Sequence, residues 1–401
     1  MSAGLLDWLV LNYGHEQMRP GLERVRRALG PILPKFSQTT VVIIAGTNGK
    51  GETTLRLSEY LKGKKHFTWT SPHIERITER FRSEAGEIEP AELQELVDRC
   101  HREVVTQGYE LSFYEFLFYV FCTWASQRVP EYLLLEVGLG GRLDAVNVFD
   151  ARMVLLPSIS RDHQEILGKR YEQILREKLA TLRPGATLVS YLHLNYLREK
   201  TTAICRSYGA KLVDLEDTRL AEPYEFSKRN QFLAYAAYSL LNGQPIDAKK
   251  WTFSQDFLEH RGEIWKGQTD WVFFGSHNPD GMRKLIQFLH SGNYTFARPP
   301  FDHVIASFSH RSRQDLRVML RMLRTSGLGR IIVTTFDHPK AATADLMEDL
   351  SAQEGLEFVK DIVELAKDWK GKRSVVTGSY YFLGELKSRL VRRESAAHPR
   401  G

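Results

Sequence analysis

An apolar stretch of strand length, Val41-Val-Ile-Ile-Ala45, empties into Gly46-Thr-Asn-Gly-Lys-Gly51, Glu52 and Thr53 come next, and a helical pattern follows from Thr54 towards Leu61. Glycines let the backbone close around an anion, successive N–H groups point inward, and a helix N-terminus adds positive potential. Lys50 then reaches the terminal phosphates of a nucleotide. The chemistry is phosphate binding. One residue is unexpected, because Glu52 stands where a small hydroxyl would help hold a magnesium ion.

A second candidate is Glu136, near the carboxyl end of the apolar run Tyr132–Val137 and followed by Gly138-Leu-Gly-Gly-Arg-Leu-Asp144. Ligands collect at that edge of a parallel sheet, and a carboxylate there costs free energy unless it is paired or metal-bound. Beside a phosphate turn, the metal-ligand reading is preferred to a structural ion pair. Asp162 and His163 follow another buried strand and face the same edge. Thr70-Ser-Pro-His-Ile-Glu-Arg76 and Gly275-Ser-His-Asn-Pro-Asp280 would be plain turns in isolation.

The elements that must position these residues alternate. Val41–Ala45, Tyr132–Val137, Met153–Ser158 and Thr187–Tyr191 read as buried strands. Pro90–Thr106, Ser112–Ser126 and Phe226–Leu241 have helical spacing and length. Such alternation predicts an α/β fold with a mostly parallel sheet covered on both faces. Trp251–Gly275 reads as short strands and turns, with His260-Arg-Gly and Lys266-Gly as breakers. A second alternation then begins: helix Pro279–His290, strand His303–Phe308, helix Gln314–Ser326, strand Arg330–Phe336, helix Ala342–Glu354 and strand Ser374–Thr377. Two domains are expected, 1–247 and 248–401, with the last residues, Ser395 to Gly401, frayed.

Composition excludes several classes. With 42% hydrophobic and 26% charged residues the chain is ordinarily globular, and no apolar run approaches a bilayer span. The N-terminus lacks the blocks of a signal peptide. Three scattered cysteines, Cys100, Cys122 and Cys205, suit neither a disulfide framework nor a zinc site, which implies a reducing cytoplasm. The net charge of +6 is spread among acids, so no nucleic-acid partner is expected; a mildly basic surface also suits anionic small molecules.

Together these segments resemble the folylpolyglutamate synthase/dihydrofolate synthase family, a branch of the Mur ligase superfamily. The resemblance runs through Gly21-Leu-Glu-Arg-Val25, Gly46–Gly51, Ser71-Pro-His73, Thr78-Glu-Arg80, Glu136–Asp144, Asn147, Asp162-His163, Leu167-Gly168 and Glu177-Lys178. It is sparser beyond, at Asn230, Arg261-x-Glu263 and His277-Asn-Pro279. It implies an N-terminal P-loop ATPase-type domain and a smaller C-terminal Rossmann-like α/β domain. It also implies a monomer that couples ATP hydrolysis to amide formation between L-glutamate and dihydropteroate or folate, without nucleic acid or membrane.

By position, the resemblance gives Gly46, Thr47, Asn48, Gly49, Lys50, Gly51 and Thr53 to the phosphates. Ser71, Glu136 and His163 match ligands of a magnesium ion (Mg2+). Lys178 matches a lysine that is carbamylated in many members, and Lys50, His163 and Lys178 are the candidates for catalysis. Asn230, Arg261 and His277 match residues that close over the nucleotide. The pterin pocket is left unassigned, with Arg80 and Arg82 candidate neighbours only through their proximity to a matching segment. The chain departs from the pattern at Glu52, normally serine, at Phe274, normally aspartate, and at Lys178-Leu-Ala-Thr181. A carboxylate about 4 Å from phosphate oxygens is repelled by about 4 kcal/mol per charge pair at an effective dielectric near 20. Glu52 is therefore expected to turn outward or to ligate metal, leaving Thr53 to supply the hydroxyl. The metal and phosphate residues serve chemistry shared by Mur-type ligases, so a different acid and amino acid as substrates stay open, and Glu52 and Phe274 leave open a nucleotide- or folate-binding protein that has lost catalysis.

Overall fold

The computed structural model describes residues 2–16, 19–218, 226–254, 261–266, 269–291 and 299–397. Two compact units divide the chain: Met1–Ala221 with Ser227–Phe253, and Glu222–Phe226 with Ser254–Gly401.

The first unit opens with α1 (Ser2–Tyr13) and α2 (Glu23–Leu29), followed by β1 (Thr40–Ile44), α3 (Lys50–Tyr60) and β2 (His66–Trp69). An antiparallel ribbon of β3 (Phe81–Ser83) and β4 (Gly86–Glu87) precedes α4 (Pro90–Gln107), α5 (Phe113–Ser126) and β5 (Tyr132–Glu136). Then come β6 (Met153–Leu156), α6 (Gln164–Leu167), α7 (Tyr171–Leu179), β7 (Thr187–Ser190), α8 (Asn195–Tyr208), β8 (Lys211–Asp214) and α9 (Phe226–Leu241). The sheet is eight-stranded, in the order β4-β3-β2-β5-β1-β6-β7-β8, and parallel from β2 to β8.

The β-branched run of β1 is buried on both faces, which is why it reads as continuous rather than alternating. Alternate residues feed two apolar layers. Val41 and Ile43 pack with α4 and α5, whereas Val42 and Ile44 pack with α3 and α9. Helix α5 is apolar almost all round and almost wholly buried, and it starts at a capping box between Ser112 and Glu115. The chain lays β2 and β5 on one side of β1 and β6 to β8 on the other, so the topology switches direction at β1. In open α/β sheets that is where ligands bind.

The second unit has a six-stranded sheet. Its elements are β9 (Arg261–Trp265), β10 (Asp270–Phe274), α10 (Pro279–Ser291), β11 (Phe301–Ser307), α11 (Arg313–Arg324) and β12 (Gly329–Thr334). They continue with α12 (Ala344–Glu354), β13 (Glu357–Val359), α13 (Ile362–Leu365), β14 (Arg373–Gly378) and α14 (Tyr380–Ala397). The order is β13-β12-β11-β14-β10-β9, parallel except for the edge strand β9. His260 and Gly267, two of the expected breakers, lie outside the described residues. The tail expected to fray is helical as far as Ala397; residues 398–401 lie outside the described residues. On α14, Lys387 pairs with Glu263 and Arg389 with Asp361. No helix among the described residues is long and apolar enough to cross a membrane.

Candidate active site

Strand register brings the candidate residues to one edge. Ile44 of β1 lies beside Glu136 of β5 and Leu155 of β6, and Trp69 of β2 lies beside Leu135. The segments leaving these four parallel strands therefore stand side by side: 70–73, 138–144, 46–51 and 157–163.

The phosphate turn is braced by the segment after β6. Thr47 N donates to Ser158 O at 3.0 Å, and Asn48 N donates to Ser158 Oγ at 2.9 Å. Thr47 Oγ1 donates to Ser160 O and accepts from Ser160 N at 3.0 Å, while Asn48 Nδ2 reaches Ser160 Oγ at 3.2 Å. The pair Ser158 and Ser160 escaped the sequence reading. Its signal was a two-residue spacing after a strand, which sends both hydroxyls to one side. Gly46 has no room for a side chain, because a Cβ would fall 2.9 Å from Pro157. Gly49 has φ +89, which a glycine adopts without strain. The helix begins at Lys50, one turn earlier than the spacing suggested, so the N–H groups of its first turn are directed at the turn itself. Lys50 Nζ donates to Thr47 O at 3.3 Å.

Glu136 is buried and accepts a hydrogen bond from Ser71 N at 3.1 Å. The Ser71 hydroxyl is buried without a hydrogen-bond partner. His163 sits on the segment after β6, its side chain 43% exposed, in the left-handed region with φ +49 and ψ +43. A non-glycine residue held there is strained, and such strain concentrates at functional sites. Its backbone N–H donates to Asp162. Among the described residues no three histidine, cysteine or carboxylate groups are clustered as a ready-made metal cage. The expected set of Ser71, Glu136 and His163 contains only two of that kind.

Lys178 is 3% exposed on α7. Burial and the nearby charge of Lys50 pull its pKa down to about 7, against the opposing pull of Asp162, Asp144 and Glu177. The glycine-rich segment after β5 places this helix. Gly141 packs on its backbone so closely that a Cβ would lie 2.8 Å from Glu177 O. Arg142 donates from its backbone N–H to Glu177 O and from Nε to the Glu177 carboxylate, at 2.9 and 2.8 Å. Asp144 is buried below, accepting from Leu139 N, Val146 N and Tyr114 OH. Burial raises its pKa despite those bonds.

Glu52 does not turn outward. It is 7% exposed, and its carboxylate accepts from Ser227 Oγ and from Asn230 Nδ2, the latter at 2.7 Å. The Thr53 hydroxyl is buried without a partner. Arg80 is also not an open ligand, since Glu16 grips its buried guanidinium with both oxygens at 2.9 and 3.0 Å. Arg82 pairs with Glu87. In the second unit, Phe274 is a core residue 9% exposed, edge-on to Phe288, and His277 lies against the ring of Tyr380. Arg261 begins β9, and its side chain lies outside the described residues.

No protein-family model matches the chain. It is 25% identical over 417 aligned residues to the dihydrofolate synthase/folylpolyglutamate synthase of Bacillus subtilis (strain 168), covering 93% of this chain and 95% of that protein. The protein of the same name from Escherichia coli (strain K12) is 35% identical over 186 residues, 45% of this chain and 44% of that one. Among solved structures, E. coli FolC in complex with DHPP and ADP superposes with a TM-score of 0.80 at 24% identity, covering 98% of both chains. A bifunctional folylpolyglutamate synthase/dihydrofolate synthase with Mn, AMPPNP and L-glutamate bound has a TM-score of 0.79 at 23% identity, covering 97% of this chain and 98% of that one. The fold is thus shared from end to end. Over nearly its whole length the chain is similar, as a divergent relative, to proteins of the folylpolyglutamate synthase/dihydrofolate synthase family, and it has their fold.

Proposed function

We propose that this chain is an ATP-dependent amide ligase that joins L-glutamate to dihydropteroate, to folates, or to both, through an acyl phosphate. The carrying observation is the convergence, at the switch point of one sheet, of a braced phosphate turn, the Ser71–Glu136 pair and the buried Lys178.

A carboxylate is a poor electrophile, so the reaction must first give it a leaving group. A carboxylate oxygen of the pteridine acid attacks the γ-phosphorus of ATP, and ADP departs. The amine of glutamate then adds to the acyl carbon, loses a proton, and phosphate leaves. The backbone N–H groups of 46–51 and the Lys50 ammonium offset the charge that develops on the transferred group. In this reading Thr53, Asn230, Arg261 and His277 also serve the nucleotide.

Ser71, Glu136 and His163 would hold Mg2+. The donor set fits a hard cation, because a buried hydroxyl without a protein partner stands beside a buried carboxylate. The ion, when bound, neutralises phosphate charge. With its pKa pulled down to about 7, Lys178 gains from neutral pH upward the uncharged amine that carbamylation requires. Its nitrogen adds to carbon dioxide, a proton is released, and the resulting carbamate would hold a second Mg2+. A cytoplasmic location is supported by Cys100, Cys122 and Cys205, all free and buried.

The test is product analysis. Purified protein with ATP, Mg2+ and glutamate, given dihydropteroate or tetrahydrofolate separately, should release ADP and a glutamylated product. Folded protein that yields neither product at saturating substrate would overturn the proposal.

A further inference from the structure

Glu52 replaces a small hydroxyl in the first turn after the phosphate loop, and its surroundings give it a different task. Its two carboxylate oxygens each take one donor from α9, Ser227 Oγ and Asn230 Nδ2. Asn230 is 1% exposed. The other side of its carboxamide rests on the loop, where a methyl group built on Gly49 would fall 2.4 Å from Asn230 Oδ1. Gly49 is the residue with φ +89 that turns the loop into α3, immediately before Lys50. Ser227 is held in turn by Gln231 Nε2 at 3.3 Å. The loop is therefore gripped from two sides, by Ser158 and Ser160 on one and by the chain Glu52–Asn230–Gly49 on the other.

We propose that Glu52 is a positioning residue, which orients the Asn230 carboxamide against Gly49 and thereby sets the shape of the phosphate loop. The inference rests on the nucleotide-binding reading of that loop. It requires the reach of the side chain and its ability to accept a bond from Asn230, and it does not require the negative charge. A glutamine keeps both, since its oxygen accepts from Asn230 Nδ2 and its amide donates to Ser227 Oγ. An aspartate keeps the charge and is one methylene too short. A metal ligand would have the opposite requirements.

Two isosteric or near-isosteric variants decide it, with ADP plus Mg2+ as the probe in calorimetric titration and the ATP concentration dependence of turnover as the second readout. E52Q is expected to retain ADP affinity within about threefold, and E52D to lose about tenfold, the scale of one charge-assisted hydrogen bond. The loss should fall mainly on KM for ATP rather than on kcat. The double variant E52D/N230A should bind no more weakly than N230A alone, because both changes break one relay. Retained affinity in E52D with loss in E52Q would overturn the proposal and make Glu52 a metal ligand. Unchanged affinity in both would equally overturn it. Wild-type protein that binds ADP but makes no glutamylated product would defeat the ligase reading and leave this one to stand on the titrations. Wild-type protein that binds no ADP would overturn both.

Discussion

The backbone N–H of Ser71 donates to the Glu136 carboxylate, tying the end of β2 to the end of β5 while the Ser71 hydroxyl is left buried and unpartnered. A hydroxyl that satisfies nothing in the protein adds nothing to stability, so S71A should leave the thermal midpoint unchanged or slightly raised. If that hydroxyl serves a cation, the same variant should need about tenfold more Mg2+ for half-maximal turnover. If Glu136 holds the metal as proposed, E136Q should reduce kcat about 100-fold or more, because it removes the anionic ligand. Melting curves and Mg2+ titrations of turnover check both.

The pKa of Lys178, about 7 against an ordinary 10.5, has two consequences with opposite controls. In the unfolded chain the lysine stays protonated up to its ordinary value, whereas in the native protein it loses the proton above about 7. Stability should therefore rise with pH between those limits, by at most about 1.4 kcal/mol per pH unit, and K178M should abolish that contribution. Denaturant melts in carbonate-free buffer would show the slope. Separately, added bicarbonate should increase turnover more at pH 8 than at pH 6, because only the neutral amine captures carbon dioxide. A lysine that is merely structural would show no bicarbonate dependence.

Gly141 has φ +152, and a Cβ there would lie 2.8 Å from Glu177 O and 3.0 Å from Lys178 O. Both contacts are backbone of α7, so neither can swing aside. G141A should destabilise the protein by about 1–3 kcal/mol, the usual range for overpacking. It should also lower kcat, because α7 can only move by carrying Lys178 with it. Denaturant titration and steady-state kinetics would separate the two effects.

Phe274 cannot be returned to the family's aspartate without cost. It packs among Val272, Met282 and Leu285 in the core of the second unit. F274D would place a carboxylate there in exchange for an aromatic ring, and should cost about 3–5 kcal/mol, as Phe→Ala changes in cores do, before any gain in nucleotide binding. Loss of the second unit's cooperative melting in calorimetry would be the expected sign.

The alternation of strands and helices was legible in the sequence because both periods are local. Val41–Ala45, Tyr132–Val137 and Phe226–Leu241 need only a window of their own length to be recognised. Short or polar-flanked elements were not legible. His66–Trp69 is four residues long and looks like any loop segment, although β2 carries Ser71 to the site. The long helix α14 was obscured by its basic residues, which pair with acids distant in the chain.

By itself, the sequence determined which residues could do chemistry: a turn of glycines with Lys50, a carboxylate at the end of an apolar strand, and the histidine and lysine that follow. Tertiary structure alone decided their state. Glu52 meets partners 175 and 178 residues away, and that contact turns a carboxylate that should repel phosphate into a brace. Lys178 becomes an amine with a pKa near 7 because α7 is buried and Lys50 is close. Local pattern records which faces are apolar. Desolvation, like-charge proximity and hydrogen-bond partnership depend on what packs against those faces, and only the folded chain brings it there.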